Sequence, residues 1–178
     1  MPRIGLVGGE CTGKSSLAQE LAGRWGGTVV DEEVRRFVQE HGRPPHRSEQ
    51  GGILRAQQAR EDATARTHSL VIADPAAAMT AIYSIVYFED DSLLGAALDR
   101  ARDYDLMVWC APDIPWQADP GMRDGLALRD RVESVIAERL APALRQRGVH
   151  VVRVTGTLDD RIAAVGQAWQ PGAPQPPT

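Results

Sequence analysis

Most of the chemistry legible in this chain lies in eight consecutive residues, Gly8-Gly9-Glu10-Cys11-Thr12-Gly13-Lys14-Ser15. They fit G-x-x-x-x-G-K-[ST], the phosphate-binding pattern known as Walker A. Gly8 and Gly13 let the backbone turn so that the N–H groups of Gly9, Glu10, Cys11, Thr12 and the following Ser16 converge on anionic oxygens. A helix opening at Lys14 would point its positive end at the same anion. Lys14 would bridge terminal phosphates, and the Ser15 hydroxyl would hold Mg²⁺. Lys14 is the only lysine in the chain; every other permanently cationic side chain is arginine. A compact ammonium is thus kept where a planar guanidinium would serve less well.

Two further groups could act on a bound phosphate. Asp31-Glu32-Glu33 follows a short apolar run. A carboxylate there, Glu32 or its neighbour Asp31, could take the proton of an attacking hydroxyl. Helix capping by the same acids is the competing reading. Asp74 ends the apolar run Leu70-Val71-Ile72-Ala73, a Walker B shape in which the carboxylate orients Mg²⁺. Residues 111–125 hold three prolines, two glycines, Trp116 and Arg123. A loop of that length in a compact domain suits a lid. Arg123 would reach the transferring phosphate and Trp116 would stack on a flat ring, against the plainer readings of a surface arginine and a packed tryptophan. Gln57 lies on an otherwise apolar helix face, as a structural amide or a ligand contact.

The elements that must position these groups follow from periodicity. The chain predicts strands at about 3–7, 28–30, 70–74, 105–110 and 149–154. Helices are predicted at 14–25, from 31 onward, 49–68, from Pro75 to about 87, 92–102, 126–147 with a break at Pro142, and 158–169. Residues 1–169 would form one domain and 170–178 a flexible Pro-rich tail. Alternating strands and helices imply an α/β fold, a doubly wound parallel five-stranded sheet with helices on both faces. The expectation is a P-loop kinase-like three-layer sandwich with a lid.

Composition narrows the partners. The 178 residues carry a net charge of −4, so no global field draws nucleic acid or an anionic membrane. Acids and arginines balance across 31–66, seven of each. No apolar run approaches the roughly 20 residues needed to span a bilayer. No signal-peptide pattern precedes the first strand. Two cysteines give no disulfide framework. A cytoplasmic protein with a small-molecule partner, and neither nucleic acid nor membrane, is expected.

Several segments together resemble the ribosylnicotinamide (nicotinamide riboside) kinase domain of NadR-type proteins, in a wider group of NadR-like P-loop ATPases. They are Gly8-Gly9-Glu10 opening the loop, Glu32 with Arg35, Gln57 with Glu61, Asp74, Thr80 with Tyr83-Ser84, Tyr104-Asp105-Leu106, and Pro115-Trp116 through Asp119 to Arg123. The likeness spans residues 3–169, and the length leaves room for the kinase part alone. It implies transfer of the ATP γ-phosphate to the ribose 5′-hydroxyl of nicotinamide riboside, giving nicotinamide mononucleotide, with ATP and Mg²⁺ as cofactors. Glu32 would be the base with Asp31 as rival, Asp74 the Mg²⁺-linked acid, and Arg123 the lid charge. Arg35, Gln57, Trp116 and Asp119 would face the acceptor. The second carboxylate of the family's D-T-D element is Ala76 here. Another nucleoside or nucleotide kinase, or an ATP-binding regulatory switch, are the alternatives.

Overall fold

The computed structural model describes residues 1–116 and 125–170. Five strands form one parallel sheet: β1 (Arg3–Val7), β2 (Thr28–Asp31), β3 (Val71–Asp74), β4 (Leu106–Cys110) and β5 (Val151–Val154). Their order across the sheet is β2-β3-β1-β4-β5. The order reverses at β1, so its C-terminal end opens onto the crevice where open α/β sheets bind ligands.

Helices cover both faces, as the alternation of strands and helices predicts. On one face α1 (Lys14–Trp25) and α8 (Leu158–Ala168) pack against Ile4 and Leu6 of β1, Ile72 of β3, and Leu106, Val108 and Cys110 of β4. On the other face α4 (Ala78–Phe88), α5 (Leu94–Ala101), α6 (Leu126–Val135) and α7 (Ala141–Gln146) cover Val7, Ala73, Met107 and Trp109. Successive residues of a strand face opposite sides, and in β4 both sides are buried. That is why the central strands read as unbroken apolar runs. At the β2 edge, α2 (Glu33–His41) and α3 (Gln50–Ala65) pack together, and Ala65 joins Val30 and Val71 in a small separate cluster.

Several boundaries differ from the sequence reading, while the expected break near Pro142 is present. Asp31 is the last residue of β2, not the first of a helix; Glu32 is the extended cap before α2. Pro75 precedes α4 by three residues, and the chain makes a separate turn through Ala76 and Ala77. The helix expected from 92 starts at Leu94, and the Ser92 N–H donates to Asp90 at 3.1 Å. The break at Pro142 takes the form of a π-helical turn, Ile136–Leu140, between α6 and α7. Proline cannot donate to the carbonyl four residues back, and its ring crowds it. No helix among the described residues is long and apolar enough to cross a membrane.

Candidate active site

The loop between β1 and α1 has the geometry that its glycines predict. Gly13 caps α1 at φ 75°, a left-handed conformation that disfavours other residues. A Cβ there would also stand 2.8 Å from Ile114 Cδ1. The Thr12 hydroxyl is buried and donates to the Gly9 carbonyl at 2.8 Å, closing the loop on itself. Lys14 Nζ donates to the carbonyls of Gly8 (2.9 Å) and Gly9 (2.6 Å), so the ammonium lies over the loop. Ser15 and Ser16 are exposed at the first turn of α1, where the amide ends of the helix gather.

Asp74 closes β3 beside this loop and is buried. Its register partner on β2 is Asp31. Glu32 follows, with its side chain 17% exposed and its Oε2 accepting from Arg35 Nε at 3.3 Å. Burial pushes the Glu32 carboxyl above its ordinary value; Lys14 and Arg35 pull it down, and Asp74 adds to the rise. Glu32, Lys14 and Asp74 thus share one electrostatic neighbourhood. Tyr83 on α4 belongs to it too: burial, then Glu32 and Glu10, hold its hydroxyl well above the usual range. Cys110, at the end of β4, marks the far wall. Burial pushes its thiol up to about 11, against the pull of Lys14 and Arg161. Asp31 is exposed, and its carbonyl accepts from Arg60 at 3.1 Å.

Of the remaining predicted residues, Arg35 is exposed beside Glu32. Gln57 is buried, with its amide bonded to Glu33, Glu61 and Pro75. The indole N–H of Trp116 is buried without a partner among the described residues. Arg123 and Asp119 lie outside the described residues, as does most of the expected lid and tail. Ala76, where the family pattern has a second acid, lies in the core: a Cβ on Gly5 of β1 would meet the Ala76 methyl at 2.9 Å. A carboxylate on that methyl would be buried against the sheet.

Three residues that sequence reasoning missed hold the cradle in place. Arg161 on α8 is fully buried. It donates to the carbonyls of Thr12 (2.7 Å), Gly156 (3.0 Å) and Ala111 (3.3 Å) and pairs with Asp113. Asp113 also accepts the Gly156 N–H at 2.6 Å. One guanidinium therefore ties the phosphate loop to the segment after β4 and the turn after β5. Arg129 on α6 lies against Gly9 and donates to the Ile114 carbonyl at 3.2 Å. A signal for Arg161 was present: it shares the apolar stripe of Ile162, Val165 and Trp169, where an unpartnered charge would be untenable.

Magnesium fits the donors present. Among the described residues no three His, Cys, Asp or Glu side chains gather into a self-sufficient metal cage. One exposed hydroxyl, Ser15, and one carboxylate, Asp74, beside a phosphate cradle are what a hard cation shared with phosphate oxygens and water requires.

The strand order and the cradle at the end of β1 define a P-loop protein of the kinase-like fold. The chain belongs to the family described as AAA domain, whose profile matches residues 3–161. No curated protein matches it. Among solved structures it is similar to a NadR protein in complex with NR, at 19% identity and a TM-score of 0.75, over 99% of this chain and 53% of that one. It thus spans about half the length of that NadR chain. A deoxyadenosine kinase from M. mycoides with bound dATP is similar at 12% identity and a TM-score of 0.59, covering 94% of this chain and 98% of the other. A thymidylate kinase from Candida albicans is similar at 14% identity and a TM-score of 0.62, covering 93% and 89%. The resemblance to the NadR type holds in the fold.

Proposed function

We propose that this chain is a Mg-ATP-dependent phosphotransferase that acts on the hydroxyl of a small nucleoside, with nicotinamide riboside as the best-fitting acceptor. The observation that carries the proposal is that Asp74 and Glu32 stand at the adjoining ends of β3 and β2, next to the β1 end whose loop carries Lys14. The likeness to a NadR protein with NR supports the choice of acceptor. The loop amides and Lys14 would hold the phosphates and stabilise charge spreading over the γ-phosphoryl oxygens. Ser15 and Asp74 would hold Mg²⁺, which supplies further charge neutralisation on the phosphates when bound. Glu32 would accept the proton of the acceptor hydroxyl as its oxygen bonds to phosphorus and the bond to the ADP oxygen breaks. Arg35 beside Glu32, with Trp116 and Asp119 of the loop, would form the acceptor side, and Arg123 would add charge from the lid.

ADP release with Mg-ATP, measured against a panel of nucleosides and nucleotides that includes nicotinamide riboside, tests the proposal. Strong stimulation by nicotinamide riboside is the expected result. Stimulation by a different nucleoside keeps the kinase and moves the acceptor. Tight ATP binding with no acceptor-stimulated turnover overturns the kinase in favour of a nucleotide-binding switch.

A further inference from the structure

Gln57 has no place in the chemistry above, yet it is buried and every polar atom of its amide is engaged. Its Oε1 accepts the Glu33 N–H at 2.8 Å, and its Nε2 donates to the Pro75 carbonyl at 3.4 Å and to Glu61 Oε1 at 3.2 Å. Glu33 follows Glu32, and Pro75 follows Asp74. One side chain therefore bonds the backbone immediately after both carboxylates of the site. The β2–β3 ladder ends at the pair Asp31 and Asp74. The Glu33 N–H, the first of α2, has no acceptor within its own helix, and the Gln57 amide supplies one.

The amide cannot turn over, because its surroundings fix which end donates. Glu61 is fully buried and accepts from Gln57, from Tyr104 Oη at 2.7 Å and from Arg100 at 3.0 Å. The Tyr104 hydroxyl, which donates to Glu61, accepts the Ala77 N–H at 3.3 Å. A flipped Gln57 would set N–H against N–H at Glu33 and oxygen against carboxylate at Glu61. Glu61 and Tyr104 thus lock the amide, and Tyr104 adds a second anchor on the turn after Asp74.

Resting on the functional reading above, we infer that Gln57 is a positioning residue: its amide, locked by Glu61 and Tyr104, sets the spacing between Glu32 and Asp74 and makes no contact with the acceptor. Misplacing a reacting group by a fraction of an ångström lowers turnover without weakening substrate binding.

The test is a double-mutant cycle on ADP formation with Mg-ATP and nicotinamide riboside, with Gln57→Met made in wild-type and Glu32→Gln backgrounds. In wild type, Gln57→Met should lower kcat about tenfold with both KM values within about twofold, and should shift the acid limb of the kcat profile. In the Glu32→Gln background the same change should cost less than about twofold, because the group it positions is already disabled. A raised acceptor KM at unchanged kcat would make Gln57 a substrate ligand and overturn the inference. So would an equal loss in both backgrounds, with the role of Glu32 left standing. Wild-type turnover in Glu32→Gln alone would remove the base assignment and the inference together. Hydrogen exchange of the Glu33 amide is read independently of turnover: it should be slow in wild type and at least about tenfold faster in Gln57→Met. Equal exchange in both would refute the bridge itself. Should Gln57→Met not fold, Gln57→Asn, which keeps the amide but cannot span the gap, goes through the same measurements.

Discussion

The two halves of the site are held in different ways. The nucleotide half, from Gly8 to Ser15, is made of backbone: Thr12 on the Gly9 carbonyl, Lys14 on Gly8 and Gly9, and Arg161 on the Thr12 carbonyl. The proposed acceptor half, at the ends of β2 and β3, is held by side chains from distant segments: Gln57 on Glu61 and on the Glu33 and Pro75 backbone, Tyr104 and Arg100 on Glu61, Arg60 on Glu33. Phosphate presents the same oxygens whatever it is attached to, so a local loop of amides suffices to bind it. An acceptor differs from one enzyme to the next, and its site is assembled from residues far apart in the chain. If that contrast is real, changes in the first half should act on all phosphate chemistry, and changes in the second should act on rate and acceptor.

The largest expected effect tests the first half. Lys14→Ala should lower ATP-dependent turnover by about a hundredfold or more and leave the far-ultraviolet circular dichroism unchanged. The lysine is partly exposed and bonds only loop carbonyls, so the core does not depend on it. Normal turnover in this variant would remove the loop from the chemistry.

Glu32→Gln tests the second half. It should lower kcat by about two orders of magnitude while the KM for ATP stays within about twofold. Asp31→Asn should do little, since Asp31 is exposed at the strand end; the reverse pattern would exchange their roles. The direction of the Glu32 shift adds a pH criterion. Burial raises its pKa above 4.5, and a base must be ionised to work. Turnover should therefore fall as pH drops through a value above 4.5, and Glu32→Gln should abolish that limb. Stability runs the other way. A carboxyl raised in the folded state contributes stability below its unfolded value, and that contribution is lost as pH rises through the raised one. Glu32→Gln stays neutral, so its Tm at pH 7 should equal or exceed that of the wild type.

The uneven legibility of the sequence follows the same division. The loop, the five strands and Asp74 could be read because their signals are local: fixed glycine spacing, unbroken apolar runs, an acid at a strand end. The break near Pro142 was legible for the same reason. The apolar stripe marked Arg161 as buried, but its role was not legible, because it reaches Thr12 across 149 residues of chain. Gln57 was visible as a polar residue on an apolar face, but its three bonds run to Glu33, Glu61 and Pro75, two of them on other elements and far off in the chain. Asp31 and Glu32 could not be told apart by pattern, since one residue of register decides which lies in the strand and which caps the helix.

Arg161 marks where the halves meet the rest of the fold, and its loss should be the largest effect on stability rather than rate. Arg161→Met leaves the Thr12, Ala111 and Gly156 carbonyls and the Asp113 carboxylate without their donor. Breaking a buried charged network of this kind costs about 3 kcal/mol, read as a fall in Tm and in the urea midpoint. Arg161→Lys should recover only part, because one ammonium cannot span four acceptors set in different directions. A wild-type Tm in Arg161→Met would show that the loop holds itself, and the nucleotide half would be more autonomous than the contrast allows.

The smallest effect sharpens the contrast most, because it asks whether the α2–α3 connection, which leads away from the proposed acceptor half, responds to charge screening when the nucleotide half does not. Between α2 and α3 the turn Arg47–Glu49 is pinned by two ion pairs, Arg43 with Glu49 at 2.8 Å and Arg47 with Asp90 at 2.8 Å. Arg43 holds the Glu49 carboxyl down to about 2, and Arg47 does the same for Asp90. Their contribution is present above the ordinary values of 4.5 and 3.8 and is lost as pH falls towards about 2. At 1 M salt the screening length shrinks to about 3 Å, which weakens both pairs at neutral pH as well. Protection of the amides across residues 43–50, taken relative to the intrinsic exchange rate at each pH, should therefore fall at pH 3 or in 1 M salt, while that of the first turns of α1 changes little. Glu49→Gln combined with Asp90→Asn should bring residues 43–50 to the low protection at pH 7 in low salt and abolish further response to either condition. If α1 loosens in step with residues 43–50, the two halves share one electrostatic frame, and the division between a backbone-built cradle and a side-chain-built acceptor site fails.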